Sequence, residues 1–224
     1  MLKGVNQWCF PEGTPLATLF EVSREAGYDA VELNINPDGA VGLTMETTPQ
    51  EADAIASMAR EHGLRLSSIS TALLWRYPLS SADPDVRAQG RRIVMKELEL
   101  AERLGADTVL VVPGAVNETT SYDECYERSR GELEKLVPEA EQRGIRIGVE
   151  NVWNKFLLSP LEMKNFIDDF NSPSLGAYFD VGNILLYGFP QQWIRILNDR
   201  IFKVHVKDFN PGVGNGRGFV PLLA

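Results

Sequence analysis

Cysteine is scarce in this chain, which has only Cys9 and Cys125 among its 224 residues. Two thiols are too few for a disulfide framework in a domain of this size, so we expect a reducing compartment. Long apolar runs are missing as well: no stretch reaches the ~18 apolar residues of a membrane span, and the first residues lack the apolar region of a secretion signal. These absences predict a cytoplasmic protein with no membrane partner.

Positive charge is in deficit, because 22 Lys and Arg residues stand against 31 Asp and Glu residues, a net charge of -9. The resulting field repels polyphosphates, so we expect no nucleic-acid partner. What the chain does have is 44% hydrophobic residues, enough for a sizeable core. Its length fits one large domain, and we expect a single domain over residues 1–224.

Amphipathic helices alternate with short β-rich runs along the whole chain. Apolar residues at three- and four-residue intervals predict six helices, and a glycine follows each of the first four as a stop signal. The predicted helices cover residues 16–27, 49–63, 86–105, 121–144, 159–170 and 190–200. Seven strands are predicted in the segments KGVNQWCF, DAVELNI, RLSSIST, DTVLVVPG, RIGVENV, GAYFDVG and FKVHVKD.

This alternation of strands and helices allows either a doubly wound open sheet or a closed (β/α) barrel. No Gly-rich phosphate turn such as GxGxxG follows the first strand, and polar side chains end many strands instead of clustering at one switch point, which favours an α/β TIM barrel. An eight-unit barrel typically takes ~250 residues. We therefore expect a (β/α)8 barrel that is incomplete at its C-terminal end, with about seven strands.

Three candidate metal ligands end three successive predicted strands: Glu150 in RIGVENV, Asp180 in GAYFDVG and His205 in FKVHVKD. Parallel strands would deliver all three side chains to one edge of the sheet, and a mixed oxygen and nitrogen set suits Mn, Mg, Co or Zn. Each residue alone has a simpler explanation: a helix cap or ion-pair partner for Glu150, a helix cap for Asp180, and a hydrogen-bonded core histidine for His205. Their shared position favours a divalent metal site.

Several strings resemble a known family: TALLWRYPLSSADPDVR, LGADTVLVVPG, GVENVWNKFLLSPLEM, YFDVGN and VHVKDF. They resemble the xylose isomerase-like TIM barrel superfamily, in particular its sugar (phosphate) isomerases and epimerases, such as the hexulose-6-phosphate isomerases, ketose 3-epimerases and hydroxypyruvate isomerases. The resemblance extends from Gly4 to Leu223. It implies a divalent metal, most often manganese, bound by Glu150, Asp180 and His205. A fourth ligand, a glutamate on the eighth strand, has no counterpart here.

The activity implied by the resemblance is isomerisation or epimerisation of a ketose or ketose phosphate through an enediolate, with Glu150 as the catalytic acid or base. A homo-oligomer, either a dimer or a tetramer, is also expected. One alternative is an inactive or metal-binding truncated barrel that lacks the second catalytic glutamate. Another is a metal hydrolase similar to endonuclease IV, against which the two histidines of the chain and its negative charge both count.

Further polar and aromatic residues follow the predicted strands and are candidates for contact with a sugar. Trp8 and Trp75 offer stacking surfaces, with ordinary core packing as the alternative. Asn183 stands where many relatives carry a histidine, and Lys207 is expected to support one of the metal ligands. The predicted substrate-binding residues are Trp8, Glu32, Trp75, Lys155, Asn183 and Arg217.

Overall fold

The computed structural model describes residues 1–37 and 39–223, and it contains seven parallel strands that curl into most of a barrel. Each strand pairs in parallel with the next in chain order. The predicted α/β TIM barrel class is therefore confirmed. The strands are β1 Gly4–Asn6, β2 Ala30–Asn36, β3 Arg65–Thr71, β4 Thr108–Val111, β5 Arg146–Glu150, β6 Leu175–Asp180 and β7 Ile201–His205.

Six helices connect successive strands, as predicted, and their ends follow the sequence signals. Thr48 N–H donates to Glu51 Oε2 (2.7 Å) and Glu51 N–H donates to Thr48 Oγ1 (3.3 Å), a reciprocal cap. Gly105 lies in the left-handed region with φ 71°, where glycine costs least, and ends a helix. The helices are α1 Leu16–Glu25, α2 Pro49–Glu61, α3 Pro84–Leu104, α4 Tyr122–Arg143, α5 Pro160–Asp168 and α6 Pro190–Leu197. No helix in the described residues is long and apolar enough to cross a membrane.

Some short elements were not predicted from the sequence. The residues after β3 contain the helical turn Leu73–Arg76. Leu43–Thr44 pairs with the end of β2, and Asp208–Phe209 pairs antiparallel with Phe219–Val220 after β7. The last pair lies at the carboxyl end of the sheet. There the centre of the Trp153 ring, in the loop after β5, is 5.4 Å from the centre of the Phe209 ring.

The inner face of the barrel is polar on its first strands. Val31, Leu33 and Ile35 of β2 belong to the hydrophobic core, whereas the alternate residues Glu32 and Asn34 turn the other way. On β3, Ser68 and Ser70 lie beside them and donate hydrogen bonds to Glu32. The interior of the barrel therefore contains a hydrogen-bonded cluster of buried polar side chains.

The sheet has two edges, β1 and β7, which do not pair with each other anywhere in residues 1–37 and 39–223. A cavity of ≈ 510 Å³ lies between these edge strands. Its lining includes Glu32, Tyr178 and His205 from the inner face. The inner face of the barrel is thus reached from the side where β1 and β7 face each other.

Glu97 is a buried carboxylic acid in the helix layer, outside the barrel interior. It lies in the buried stripe of α3 with Val94, Leu98 and Ala101, and neither of its oxygens has a hydrogen-bond partner among the described residues. Burial raises the pKa of Glu97 well above its ordinary value of 4.5, and the charge of Glu32 raises it further. The folded protein therefore keeps the neutral acid form of this residue to a higher pH than the unfolded chain does.

Replacing Glu97 with methionine is expected to stabilise the protein at alkaline pH. The unfolded chain loses the Glu97 proton near pH 4.5 while the folded chain keeps it, so the free energy of unfolding falls as pH rises from 4.5 towards the raised pKa. The slope reaches about 1.4 kcal/mol per pH unit, and Glu97→Met removes it. Urea unfolding at about pH 5 and about pH 8 measures this, with the larger gain at the higher pH.

Glu102→Met, on the exposed side of the same helix, is the matched control and should show no such pH-dependent gain. Equal gains for Glu97→Met at both pH values would contradict the assigned protonation of Glu97.

Candidate metal centre

The carboxyl ends of β5, β6 and β7 bring Glu150, Asp180 and His205 together. Each is the last residue of its strand, and Asp180 pairs directly with His205 in the β6–β7 register. His205 Nδ1 lies 3.7 Å from Glu150 Oε1 and 3.9 Å from Asp180 Oδ2. One ligand atom from each of the three residues lies within 4.8 Å of the others.

The donor set fits a divalent cation. Asp180 is fully buried, and its Oδ2 accepts no hydrogen bond from the described residues. A buried carboxylate charge needs a cation to compensate it, and here the Lys207 ammonium lies 2.7 Å from Asp180 Oδ2. Two carboxylates and one imidazole are ligands that Mn, Mg, Co and Zn all accept, so Glu150, Asp180 and His205 would hold such an ion.

A clamp formed by Asn151 and Asn183 fixes the backbone around Asp180. Asn151 Nδ2 donates to the Asp180 carbonyl (2.8 Å), and Asn151 Oδ1 accepts from the Asp180 N–H (2.8 Å). Asn183 Nδ2 donates to the Asn151 carbonyl (2.9 Å), and Asn183 N–H donates to Asp180 Oδ1 (2.9 Å). Asp180 Oδ1 thus bonds to the helical turn Gly182–Ile184 that follows β6, but the N-cap of that turn is Val181, so Asp180 is not its cap.

A hydrogen-bonded hub surrounds Glu32 on the inner face of the barrel. Glu32 Oε1 lies 3.0 Å from His205 Nε2 and accepts from Ser70 Oγ (3.0 Å), while Glu32 Oε2 accepts from Ser68 Oγ (2.6 Å). Asn6 Nδ2 and the Tyr178 hydroxyl also donate to this carboxylate. The hub connects the inner surface of the barrel to His205, one of the three candidate ligands.

The environment pushes the pKa values of the two central glutamates in opposite directions. Burial raises the pKa of Glu32, but the charge of His205 and the hydrogen bonds to Glu32 outweigh it and bring that pKa from 4.5 to about 2. Burial raises the pKa of Glu150, and His205 offsets only part of the effect. For His205, burial lowers the pKa, but Glu32 and Glu150 outweigh it and raise the pKa from 6.5 to about 10. Glu150 is therefore the carboxylate better suited to exchange a proton near neutral pH.

Lys207 follows His205 by two residues, and its side chain contacts Asp180. Its Nζ lies 2.7 Å from Asp180 Oδ2, in an ion pair without hydrogen-bond geometry, and 5.7 Å from the centre of the Phe219 ring. Gly182 lies directly against Lys207, since a Cβ at Gly182 would be 2.5 Å from Lys207 Cβ and 2.9 Å from the Lys207 carbonyl oxygen. The turn after β6 and the segment after β7 pack in backbone contact here.

Gly182→Ala is expected to weaken both the fold and metal binding. The added methyl group has to displace the backbone at Lys207, an overpacking that costs about 1–3 kcal/mol. Urea unfolding measures the first effect, and titration with Mn²⁺ measures the second. Gly131→Ala is the control, because a Cβ at Gly131 meets nothing within 4 Å. If Gly182→Ala behaved like Gly131→Ala in both measurements, the close contact at Gly182 would contribute to neither stability nor metal binding.

The remaining candidates for substrate contact lie on the turns after other strands. Trp8 is 53% exposed in a turn after β1, and Trp75 is 48% exposed in the short helix after β3, so the alternative of core packing is wrong for both. Lys155 has φ 58° in the loop after β5, and Arg217 lies in the turn Gly216–Gly218. In the described part of the chain none of these four side chains bonds to the candidate ligands, and their contact with substrate remains a prediction.

A model of the xylose isomerase-like TIM barrel family matches residues 20–222 of this chain. The chain belongs to this family. The family resemblance predicted from the sequence is thereby confirmed.

Three individual proteins are similar to most of this chain. L-ribulose-5-phosphate 3-epimerase UlaE of Salmonella paratyphi A is 26% identical over 211 residues, which cover 94% of this chain and 74% of the relative. The crystal structure of a D-tagatose 3-epimerase-like protein has a TM-score of 0.80 at 23% identity, over 94% of this chain and 78% of that one. D-psicose 3-epimerase from Clostridium cellulolyticum H10 with D-tagatose also has a TM-score of 0.80, at 16% identity, over 92% and 73% of the two chains.

The two solved structures share the barrel fold of this chain. UlaE is named for sugar epimerisation, which supports a sugar epimerase or isomerase.

Proposed function

We propose that this protein catalyses the divalent-metal-dependent epimerisation or isomerisation of a ketose or ketose phosphate. The observation that carries the proposal is the convergence of Glu150, Asp180 and His205 at the carboxyl ends of three neighbouring strands. This is the face of a TIM barrel on which active sites lie. The epimerase UlaE, to which the chain is similar over 94% of its length, supports the sugar phosphate as a substrate class.

Glu150 is the base in this proposal. Removing the weakly acidic proton beside a ketose carbonyl needs a carboxylate whose pKa lies closer to neutrality than that of an exposed glutamate. Burial raises the pKa of Glu150 in that direction. A divalent ion, when bound, would polarise the carbonyl and make this proton more acidic.

The other residues of the site hold and shape it. Asp180, fixed by its hydrogen bonds to Asn151 and Asn183, and His205, fixed by Glu32, keep two donors aimed at one point. Complete epimerisation also needs a second acid on the opposite face of the substrate, and isomerisation needs one at the neighbouring carbon. Glu150 by itself accounts for proton removal and for return of a proton to the same face.

Hydrogen exchange at the carbon beside the ketose carbonyl tests the removal and return of the proton by Glu150. The chain is incubated with Mn²⁺ and a panel of ketoses and ketose phosphates in deuterated water, and deuterium incorporation is followed by NMR. Incorporation into one of these substrates, abolished by a chelator, is the expected result. Tight binding of Mn²⁺ without exchange in any substrate would contradict the proposal and favour the alternative of a metal-binding protein without turnover.

A further inference from the structure

The His205 imidazole lies between two sets of carboxylates, one on each ring nitrogen. Nε2 is 3.0 Å from Glu32 Oε1, a hydrogen-bonding distance. Nδ1 points to the opposite side, 3.7 Å from Glu150 Oε1 and 3.9 Å from Asp180 Oδ2. The two nitrogens therefore have different partners, and only Nδ1 faces the other two candidate ligands.

We propose that Glu32 is a positioning residue that holds the proton on Nε2 of His205 and so reserves Nδ1 for the metal ion. The inference rests on the metal site of the proposed function. A ligating imidazole that donates its other N–H to a carboxylate has a fixed tautomer and ring orientation. Glu32 is the residue on β2 that performs this for the histidine on β7.

The hub keeps the Glu32 carboxylate from turning towards anything else. Ser68, Ser70, Asn6, Tyr178 and His205 together supply five donors to it. A carboxylate has about four lone-pair sites, so these donors occupy its acceptor capacity. A substrate hydroxyl would have to displace one of them, and we therefore assign Glu32 to His205 instead of to the sugar.

The packing of the ring agrees with this assignment. The Tyr178 ring lies with its centre 4.6 Å from the centre of the His205 ring, while the Tyr178 hydroxyl donates to Glu32. Tyr178 thus restricts rotation of the imidazole and holds its acceptor in place. A ring flip of His205 would break the Nε2 contact and leave Glu32 without its one donor from β7.

Nitrogen-15 NMR of histidine-labelled protein tests the proposal directly, with Zn²⁺ as a diamagnetic probe and without any sugar. The chain has only two histidines, and His62→Gln identifies the second signal. The expected result is a zinc-induced shift at Nδ1 of His205, with the proton retained on Nε2. A proton on Nδ1 and zinc at Nε2 would overturn the proposal.

Variants of the hub supply the second measurement, the zinc affinity by competition with a chelator. Glu32→Ala should weaken zinc binding by about 10- to 100-fold and lose the slowly exchanging Nε2 proton. Glu32→Gln, whose amide oxygen still accepts from Nε2–H, should restore part of both. Glu118→Ala, at an exposed position outside the hub, is the control, and its zinc affinity should stay near that of the parent.

An unchanged affinity in Glu32→Ala would overturn the proposal. Should Glu32→Ala fail to fold, Glu32→Gln still tests the proposal. Persistence of the Nε2 proton in Glu32→Gln would support it, and loss of that proton would contradict it. All of these readouts are independent of sugar turnover. An absence of deuterium exchange would therefore contradict the proposed function without affecting the proposal for Glu32.

Discussion

Glu150→Gln is expected to lower deuterium exchange into a ketose substrate by about 10²- to 10⁴-fold at saturating Mn²⁺, the range that a positioned acid or base contributes. Glutamine keeps the size of the side chain and an oxygen donor for the metal ion, but it cannot accept the substrate proton. Burial, which raises the pKa of Glu150, is what suits this carboxylate to the task. Exchange rates measured by NMR at several Mn²⁺ concentrations separate the loss of the base from weaker metal binding.

Glu118→Gln is the matched control, since Glu118 is exposed. Its exchange rate should equal that of the parent. If Glu150→Gln kept the parental exchange rate at saturating metal, proton removal would have to be assigned to another residue.

Asp180→Asn is expected to weaken Mn²⁺ binding by more than about 100-fold, because residues that merely support a ligand already account for about 10- to 100-fold. Asp180 is fully buried, and its Oδ2 forms an ion pair with Lys207 but accepts no hydrogen bond from the described residues. The substitution therefore removes charge from the site while the volume stays the same. Titration calorimetry with Mn²⁺ measures the affinity.

The fold itself should survive Asp180→Asn. The amide oxygen of asparagine can still accept from the Asn183 N–H, and the backbone clamp of Asn151 is unaffected. Asp169→Asn, at an exposed position, is the control for a change of one negative charge. Equal Mn²⁺ affinities for the two variants would show that Asp180 does not bind the metal.

The sequence predicted the repeating elements well because each one has its own local signal. The segment RLSSIST corresponds residue for residue to β3, and α2 begins at Pro49 as predicted, directly after its cap Thr48. The first strand is shorter than predicted, since Asn6 Oδ1 accepts from the Trp8 N–H and starts a helical turn. The turn Leu73–Arg76 has too few residues for a helical period to show, and the two-residue strands depend on partners elsewhere in the chain.

The candidate ligands could be predicted from the sequence because each follows an apolar strand. The hydrogen-bonded hub around Glu32 could not be predicted in this way. The spacing by two of Glu32 and Asn34, and of Ser68 and Ser70, marks a shared face of each strand. It does not reveal that Tyr178, on a strand far along the chain, reaches the same carboxylate. Asn151 was missed for a similar reason, because its partners are backbone groups of Asp180 on the next strand.

The Glu32 hub also joins parts of the chain that lie far apart in sequence. Its bonds join residues 26 positions apart, for Asn6 and Glu32, up to 173 positions apart, for Glu32 and His205. Contacts that close such long loops form late, after the entropy of ordering the intervening chain has been lost. The early strands and helices can assemble through neighbouring contacts alone. Glu32 acquires its last donor only when β7 docks, so we expect His205 to be oriented late in folding.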